Sequence, residues 1–273
     1  MIADLCLVLL LDGSSSVDKS EWDLQARATA EALASAEVVS RITSGPHGRI
    51  VVTAIEWSHT TVVIVPWTEI AGAADARSFA TRMEAYPRQL GGSTAVGGAL
   101  KAAAAEFMAV PDCQRRAVDI SGDGPENNGS DPEGAVALLL ALDATVNAIV
   151  IDDEVGVLEF YQRTVSGFVL PATWDSYRQA IKAKLTLEIA GIAPGGLPTV
   201  RRDYDERDWR TYWWPQPLEF WTIGAQHDGR PDPNCNCHHW TPIVQETPTP
   251  DAALLLGSAL LLLGAIAWSW RRK

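Results

Sequence analysis

The sequence predicts an α/β protein whose mainly parallel, doubly wound sheet is covered by helices on both faces, with one antiparallel edge strand. Between residues 3 and 190, short apolar runs alternate with stretches of helical periodicity, which is the pattern of strand–helix repeats. Several runs are continuously apolar, as in parallel strands buried on both faces. Hydrophobic residues make up 47% of the 273 residues, which is enough to supply a packed core.

The N-terminal part of the chain predicts three strands and a helix. Residues 5–11 are continuously apolar and predict a buried strand. Asp18 and Glu21 have the spacing of a capping box and open a helix. The face of that helix predicted to be buried carries Trp22, Ala26, Thr29 and Leu33. Residues 50–55 and 61–65 predict two strands that a short turn joins as an antiparallel hairpin.

The rest of the domain continues the alternation. Asp75 is placed to cap a helix that runs to Met83, and the glycine-rich loop of residues 91–94 precedes another helix. Residues 131–133 (Asp-Pro-Glu) mark a helix start, because they supply an N-cap, a proline at the first helical position and an acid in the first turn. The remaining predictions are strands at 117–121, 145–151 and 168–170 and helices at 96–107, 158–164 and 174–189.

Beyond residue 190 the chain changes character, so that residues 1–190 are predicted to form the domain. Residues 191–251 are rich in tryptophan and proline and predict an irregular extension with a linker. Residues 252–270 carry no charge and would span about 28 Å as a helix, close to the hydrocarbon thickness of a bilayer. Because the basic tail of residues 271–273 follows, we expect a C-terminal transmembrane helix; a buried globular helix is the alternative.

The sequence gives conflicting indications of the side of the membrane on which the domain lies. The basic residues 271–273 predict a cytoplasmic C-terminus and therefore a large domain outside the cytoplasm. Met1 runs directly into the first strand, so no signal peptide precedes the domain in this sequence. A leader upstream of this start and a tail-anchored cytosolic domain are the two alternatives. Residues 248–250 (Pro-Thr-Pro), with the apolar stretch and basic end, also resemble bacterial sorting signals that are cleaved after export.

Charge and cysteine content exclude some classes of protein. A net charge of -12 argues against a general nucleic-acid-binding protein, which would present a basic face. We expect Cys6 and Cys113 to be free, because level strand ends would offset them by about four residues, roughly 13 Å along the strands. Cys235, Cys237, His238 and His239 form a short cluster that could bind zinc, with a disulfide or free thiols as the alternatives.

Oxygen-bearing side chains follow two predicted strands and precede one helix. Asp12, Ser14 and Ser16 leave the first strand together, Asp123 follows a later strand, and Thr94 lies in the glycine-rich loop. In a doubly wound sheet these segments meet at the carboxyl edge, where ligands bind. Two carboxylates and three hydroxyls are hard ligands that suit Mg²⁺ or Mn²⁺. A helix cap is the alternative interpretation of the Asp-x-Ser-x-Ser segment alone.

This ordered set resembles the metal-ion-dependent adhesion site (MIDAS) of von Willebrand factor type A domains. The chain resembles still more closely a bacterial family of unknown function, DUF1194, in the stretches 46–50, 56–57, 65–67 and 119–128. The resemblance implies hydroxyl ligands at Ser14, Ser16 and Thr94, and carboxylates at Asp12 and Asp123 that often act through water. It also implies that a carboxylate of a protein partner fills the open position on the metal.

Four further residues are placed at the same edge, where they would form the rim of the site: Asn127, Asn128, Asp152 and Asp153. The alternative is that they are solvated turn residues. Elsewhere in the chain no nucleophile elbow, phosphate-binding loop with lysine or His-Glu-x-x-His motif occurs.

The sequence therefore predicts a membrane-tethered domain that binds a protein partner through a divalent cation and is not an enzyme. The first alternative is an assembly or chaperone subunit that works with a cytosolic ATPase, as some bacterial type A domains do. The second is a hydrolase that uses the metal.

Overall fold

The computed structural model describes residues 2–109, 112–151 and 156–192, which form a six-stranded sheet and seven helices. All of them lie in the first of two units into which the chain divides, Met1–Thr199 and Val200–Lys273. In chain order the elements are β1 (Leu5–Asp12), α1 (Lys19–Leu33), α2 (Ala36–Thr43), β2 (Ile50–Trp57), β3 (Thr61–Ile70), α3 (Ala73–Glu84), α4 (Val96–Ala109), β4 (Arg116–Gly122), α5 (Pro132–Ala141), β5 (Ala144–Ile151), α6 (Val157–Thr164), β6 (Val169–Ala172) and α7 (Tyr177–Ala190).

The sheet has the strand order β3-β2-β1-β4-β5-β6. Every neighbouring pair is parallel except β2 and β3, which form the predicted hairpin and leave β3 as an antiparallel edge strand. The mainly parallel α/β fold is therefore confirmed. In the register of β1 with β4, Leu10 pairs with Ile120, so the two strands end level and their following loops leave the same edge.

Helices cover both faces of the sheet, and this explains the uninterrupted apolar run of β1. Leu5, Leu7, Leu9 and Leu11 point to a core formed with α1, α2, α3 and α7. Cys6, Val8 and Leu10 point to a second core formed with α4, α5 and α6. Because both sets of alternating side chains are buried, a polar face would have no place in this strand.

The predicted helix starts are correct where a cap fixes them. The Asp18 side chain accepts a hydrogen bond from the Glu21 amide, and the Glu21 carboxylate accepts one from the Asp18 amide, which completes the capping box of α1. Asp131 caps α5, directly before Pro132. Asp75 lies inside the first turn of α3 rather than capping it. Helix α2 has no counterpart among the predicted helices, because its eight residues are too few for a helical period to stand out, although Val38 and Ile42 have the i, i+4 spacing of a buried face.

The prediction that Cys6 and Cys113 are free is wrong: they form a disulfide, with their Cα atoms 5.8 Å apart. The expected offset assumed that both cysteines lie on straight strands. The chain bends at Gln114 before β4 begins, and Cys113 lies in an isolated parallel bridge with Ala3. The segment between Cys113 and β4 is therefore shorter than an extended strand, and the pair comes within bonding range.

A buried ionic cluster fastens α7 to the sheet. The ammonium group of Lys184 lies 2.7 Å from the Asp119 carboxylate on β4 and 2.7 Å from the Glu188 carboxylate. The Asn147 side chain on β5 donates to Glu188 at 2.7 Å. Burial and the charge of Asp119 raise the pKa of Glu188 to about 8, although Lys184 lowers it. The cluster therefore links α7 to β4, the strand that Asp123 directly follows.

Within the described ranges, none of the helices combines the length and the apolar character needed to cross a bilayer. The predicted transmembrane segment 252–270, the basic tail 271–273 and all but the first two residues of the extension 191–251 lie outside those ranges. The Cys235 to His239 cluster lies outside them too.

Candidate metal centre

Three loops bring the predicted ligands to one edge of the sheet. Asp12 is the last residue of β1, and Asp123 directly follows the last residue of β4. Thr94 lies two residues before the first residue of α4. Asp12, Ser14 and Thr94 are buried, Asp123 is half-buried and Ser16 is exposed. One side of the predicted site is therefore buried in the protein, and the other side is open to solvent.

A chain of hydrogen bonds links four of the five predicted ligands. The Asp12 Oδ1 atom accepts the Ser14 amide at 2.7 Å, and the Ser14 and Ser16 hydroxyl oxygens are 3.0 Å apart. The Ser16 hydroxyl donates to the Asp123 carboxylate at 2.6 Å. The two carboxylates and two hydroxyls therefore converge, although Ser16 and Asp123 are 107 residues apart in the chain.

The fifth residue, Thr94, is held by one of the predicted rim residues. The side-chain oxygen of Asn127 accepts the Thr94 amide at 2.7 Å, and its nitrogen donates to the Thr94 hydroxyl at 3.3 Å. Asn128 accepts from the Ser93 hydroxyl at 2.7 Å. Both asparagines thus fasten the loop before α4 to the loop after β4. The other two predicted rim residues, Asp152 and Asp153, lie outside the described residues.

A glutamine that sequence reasoning overlooked fixes the backbone of Asp12. Gln25 on α1 is buried; its side chain accepts the Asp12 amide at 3.0 Å and donates to the Asp12 carbonyl at 2.9 Å. Its oxygen also accepts from the Ser121 hydroxyl on β4. The signal was present in the sequence, since Gln25 falls three residues after Trp22 and so on the apolar face of α1.

The electrostatics of the centre favour a positive charge. Burial, together with the nearby charge of Asp123, raises the pKa of Asp12 from 3.8 to about 7, against hydrogen bonds from Ser14 that lower it. Burial and the same carboxylates raise the pKa of the Tyr161 hydroxyl well above its usual range. Gly122 lets this tyrosine approach, because a Cβ there would overlap its hydroxyl and lie 3.3 Å from Asp12 Oδ2.

The residues fit a hard divalent cation. Asp12 Oδ2 is buried and has no hydrogen-bond partner among the described residues, which is a costly arrangement unless a cation or its water accounts for it. Within the described part of the chain no group of three or more His, Cys, Asp or Glu side chains is suited to a metal. The predicted ligand set at this edge instead consists of two carboxylates and three hydroxyls, which offers oxygen donors alone.

Comparison with known proteins gives a family and a fold. The family described as "Protein of unknown function (DUF1194)" matches residues 2–193. Among curated proteins, none matches the sequence.

Three solved structures share the fold. The proximal thread matrix protein 1 of the mussel byssus, solved with a zinc-occupied MIDAS motif, is 18% identical with a TM-score of 0.54, and the match covers 69% of this chain and 46% of that one. A von Willebrand factor type A protein from Catenulispora acidiphila is 12% identical with a TM-score of 0.53, over 69% and 43%. The von Willebrand factor domain of the pilus tip protein Mfa5 from Porphyromonas gingivalis is 11% identical with a TM-score of 0.52, over 71% and 98%. The chain thus spans under half the length of the first two, and identities this low show the fold alone.

Proposed function

This chain belongs to the DUF1194 family and has a von Willebrand factor A-like fold, and on that premise we propose that it binds a protein partner through a divalent cation. The proposed cation is Mg²⁺ or Mn²⁺. Its proposed ligands, direct or through water, are Asp12, Ser14, Ser16, Thr94 and Asp123.

One observation carries the proposal: hydrogen-bonded oxygen donors from the loops after β1 and β4 converge near a buried carboxylate oxygen that has no hydrogen-bond partner among the described residues. Asn127 ties the Thr94 loop to the second of these loops. A dication would neutralise the two carboxylates, whose mutual repulsion contributes to the raised pKa of Asp12. Five protein groups leave a position of an octahedral ion for an outside ligand. A carboxylate of the partner is the ligand that the likeness to a MIDAS suggests.

The proposed role is binding rather than catalysis. A cation in a shallow site attracts an anionic oxygen, and no bond has to break. One structural relative is a thread matrix protein and another is a pilus tip protein, which supports a binding role for this fold. Neither relative identifies the partner of this chain.

We further propose that the domain, residues 1–190, is tethered to a membrane and lies outside the cytoplasm. The support is the uncharged segment 252–270 followed by the basic residues 271–273, which favour a cytoplasmic end. Residues 191–251 would then form the extension and linker between the domain and the membrane helix.

Partner binding should depend on both the cation and the site. We expect immobilised full-length protein to retain a partner from an extract of its source cells in Mg²⁺ but not in EDTA. The variant Ser16→Ala should lose the partner in Mg²⁺, because it removes a hydroxyl that bonds to Asp123. Ser40→Ala, at an exposed position on α2, is the matched control and should retain it. Equal retention by all three proteins in EDTA would contradict the proposal.

A further inference from the structure

Arg88 joins the loop before α4 to the loop that follows β1. Its guanidinium group donates to the carbonyl of Gly13 at 2.9 Å and to the carbonyls of Ser14 and Val17 at 2.5 Å each. These carbonyls belong to the same short segment as the Ser14 and Ser16 hydroxyls. The planar fork of a guanidinium group can bond several acceptors in a fixed geometry, so Arg88 fixes the path of this segment.

The backbone next to Arg88 is itself anchored to the sheet. Glu56 is fully buried near the end of β2, and its carboxylate accepts the Gln89 amide at 3.0 Å and the Leu90 amide at 2.7 Å. The Glu56 carboxylate also lies against Gly13, where a Cβ would approach its oxygen to 2.7 Å. Arg88 therefore acts from a rigid base rather than from a free loop.

A second pair of hydrogen bonds fastens the same two loops. The Ser15 amide donates to the Gly92 carbonyl at 2.9 Å, and the Gly92 amide donates to the Ser15 hydroxyl at 2.7 Å. Thr94 lies two residues beyond Gly92. The loop that carries Thr94 and the loop that carries Ser14 and Ser16 therefore have a fixed spacing, with Arg88 making three of the bonds between them.

We propose that Arg88 is a positioning residue for the cation site, an inference that rests on the proposed function. It holds the backbone so that the Ser14 and Ser16 hydroxyls face the cation, without being a ligand itself. Groups that orient metal ligands typically contribute 10- to 100-fold to metal affinity. The charge of Arg88 has the opposite influence, because a nearby positive group repels a dication.

The two effects of Arg88 on cation affinity have opposite signs, so substitutions can distinguish them. Loss of the positioning role would weaken Mg²⁺ binding, whereas loss of the positive charge alone would strengthen it. We expect Arg88→Met and Arg88→Lys each to weaken Mg²⁺ binding to the full-length chain by about 10-fold or more in calorimetric titration. Lysine keeps the charge but replaces the fork with a point charge, so it should not restore affinity. The control Arg82→Lys changes an arginine on α3 that makes a solvent-exposed hydrogen bond to the Thr68 hydroxyl, and it should bind Mg²⁺ like wild type.

The outcomes separate the two proposals. Absence of Mg²⁺ binding by wild type would overturn the proposed function and this inference with it. Binding by wild type together with equal or tighter binding by both folded Arg88 variants would overturn the positioning role alone. Melting curves in EDTA complete the test: a lower melting temperature with unchanged affinity would assign Arg88 to stability only. If Arg88→Met does not fold, the Arg88→Lys titration decides by the same criteria.

Discussion

Exchanging Asp12 for asparagine is expected to weaken Mg²⁺ binding by about 10- to 100-fold while the domain stays folded. Asparagine keeps the shape of the side chain and can still accept the Ser14 amide, as Asp12 Oδ1 does at 2.7 Å. It removes the charge that would offset the cation and replaces the Oδ2 atom, which has no hydrogen-bond partner within the described ranges. Calorimetric titration of Mg²⁺ against both proteins measures the difference, and Asp23→Asn, at an exposed carboxylate on α1, is the matched control. Equal affinity in wild type and Asp12→Asn would refute the assignment.

The same variant should change how stability depends on pH when EDTA keeps the protein free of metal. The pKa of Asp12 is about 7 in the folded domain and roughly 3.9 in an unfolded chain, so the folded state binds the proton more tightly. The stability of wild type should therefore fall as pH rises from about 4 to about 7, and Asp12→Asn should lack this part of the decline. Glu188, whose pKa is also raised, contributes equally to both proteins and cancels in the comparison. Parallel pH profiles of the melting temperature would contradict a raised pKa of Asp12 in the folded domain.

Replacing Lys184 by methionine is expected to lower the free energy of unfolding by about 3 to 5 kcal/mol. Methionine fills a similar volume but leaves Asp119 and Glu188 buried without the ammonium group that lies 2.7 Å from each. Both carboxylates are almost fully inaccessible to water, so solvent cannot replace the lost partner. A domain of this kind has about 5 to 15 kcal/mol of net stability, which makes the loss large. Urea denaturation measures it.

Lys182→Met on the same helix is the matched control for Lys184→Met. Lys182 pairs with Glu37 at 3.0 Å, but both side chains are close to half-exposed. Exposed pairs contribute roughly 0 to 1 kcal/mol, so this variant should unfold close to the wild-type midpoint. A cost for Lys184→Met no greater than that for Lys182→Met would show that the buried cluster does not hold α7 to β4.

The fold could be predicted because its signals are local or periodic. The apolar run of β1, the capping box at Asp18 and the Asp-Pro start of α5 each reflect one element and its immediate neighbours. The shape of the backbone between elements gives no such signal. The expectation of free cysteines failed for this reason, because the bend at Gln114 brings Cys113 to Cys6 and leaves no trace in hydrophobic periodicity.

The candidate ligands could be named from the sequence because each stands next to a strand or helix end, and the sheet brings those ends together. The residues that hold the ligands were harder to find. Gln25 and Glu56 interrupt apolar patterns and so carry a detectable signal, although the signal gives no partner. Arg88 lies in a loop without periodicity, and its three carbonyl acceptors are more than 70 residues away in the chain. Only the tertiary structure assigns it a contact.

The position of a bound cation tests the central claim most directly. Crystals of the protein soaked in Mn²⁺ would reveal the ion by its anomalous scattering. We expect one strong peak within coordination distance, roughly 2 to 2.5 Å, of the Ser14 and Ser16 hydroxyls, with Thr94, Asp12 and Asp123 completing its surroundings directly or through water. A well-diffracting crystal with no peak at this edge of the sheet, or with Mn²⁺ bound only elsewhere on the domain, would contradict the account.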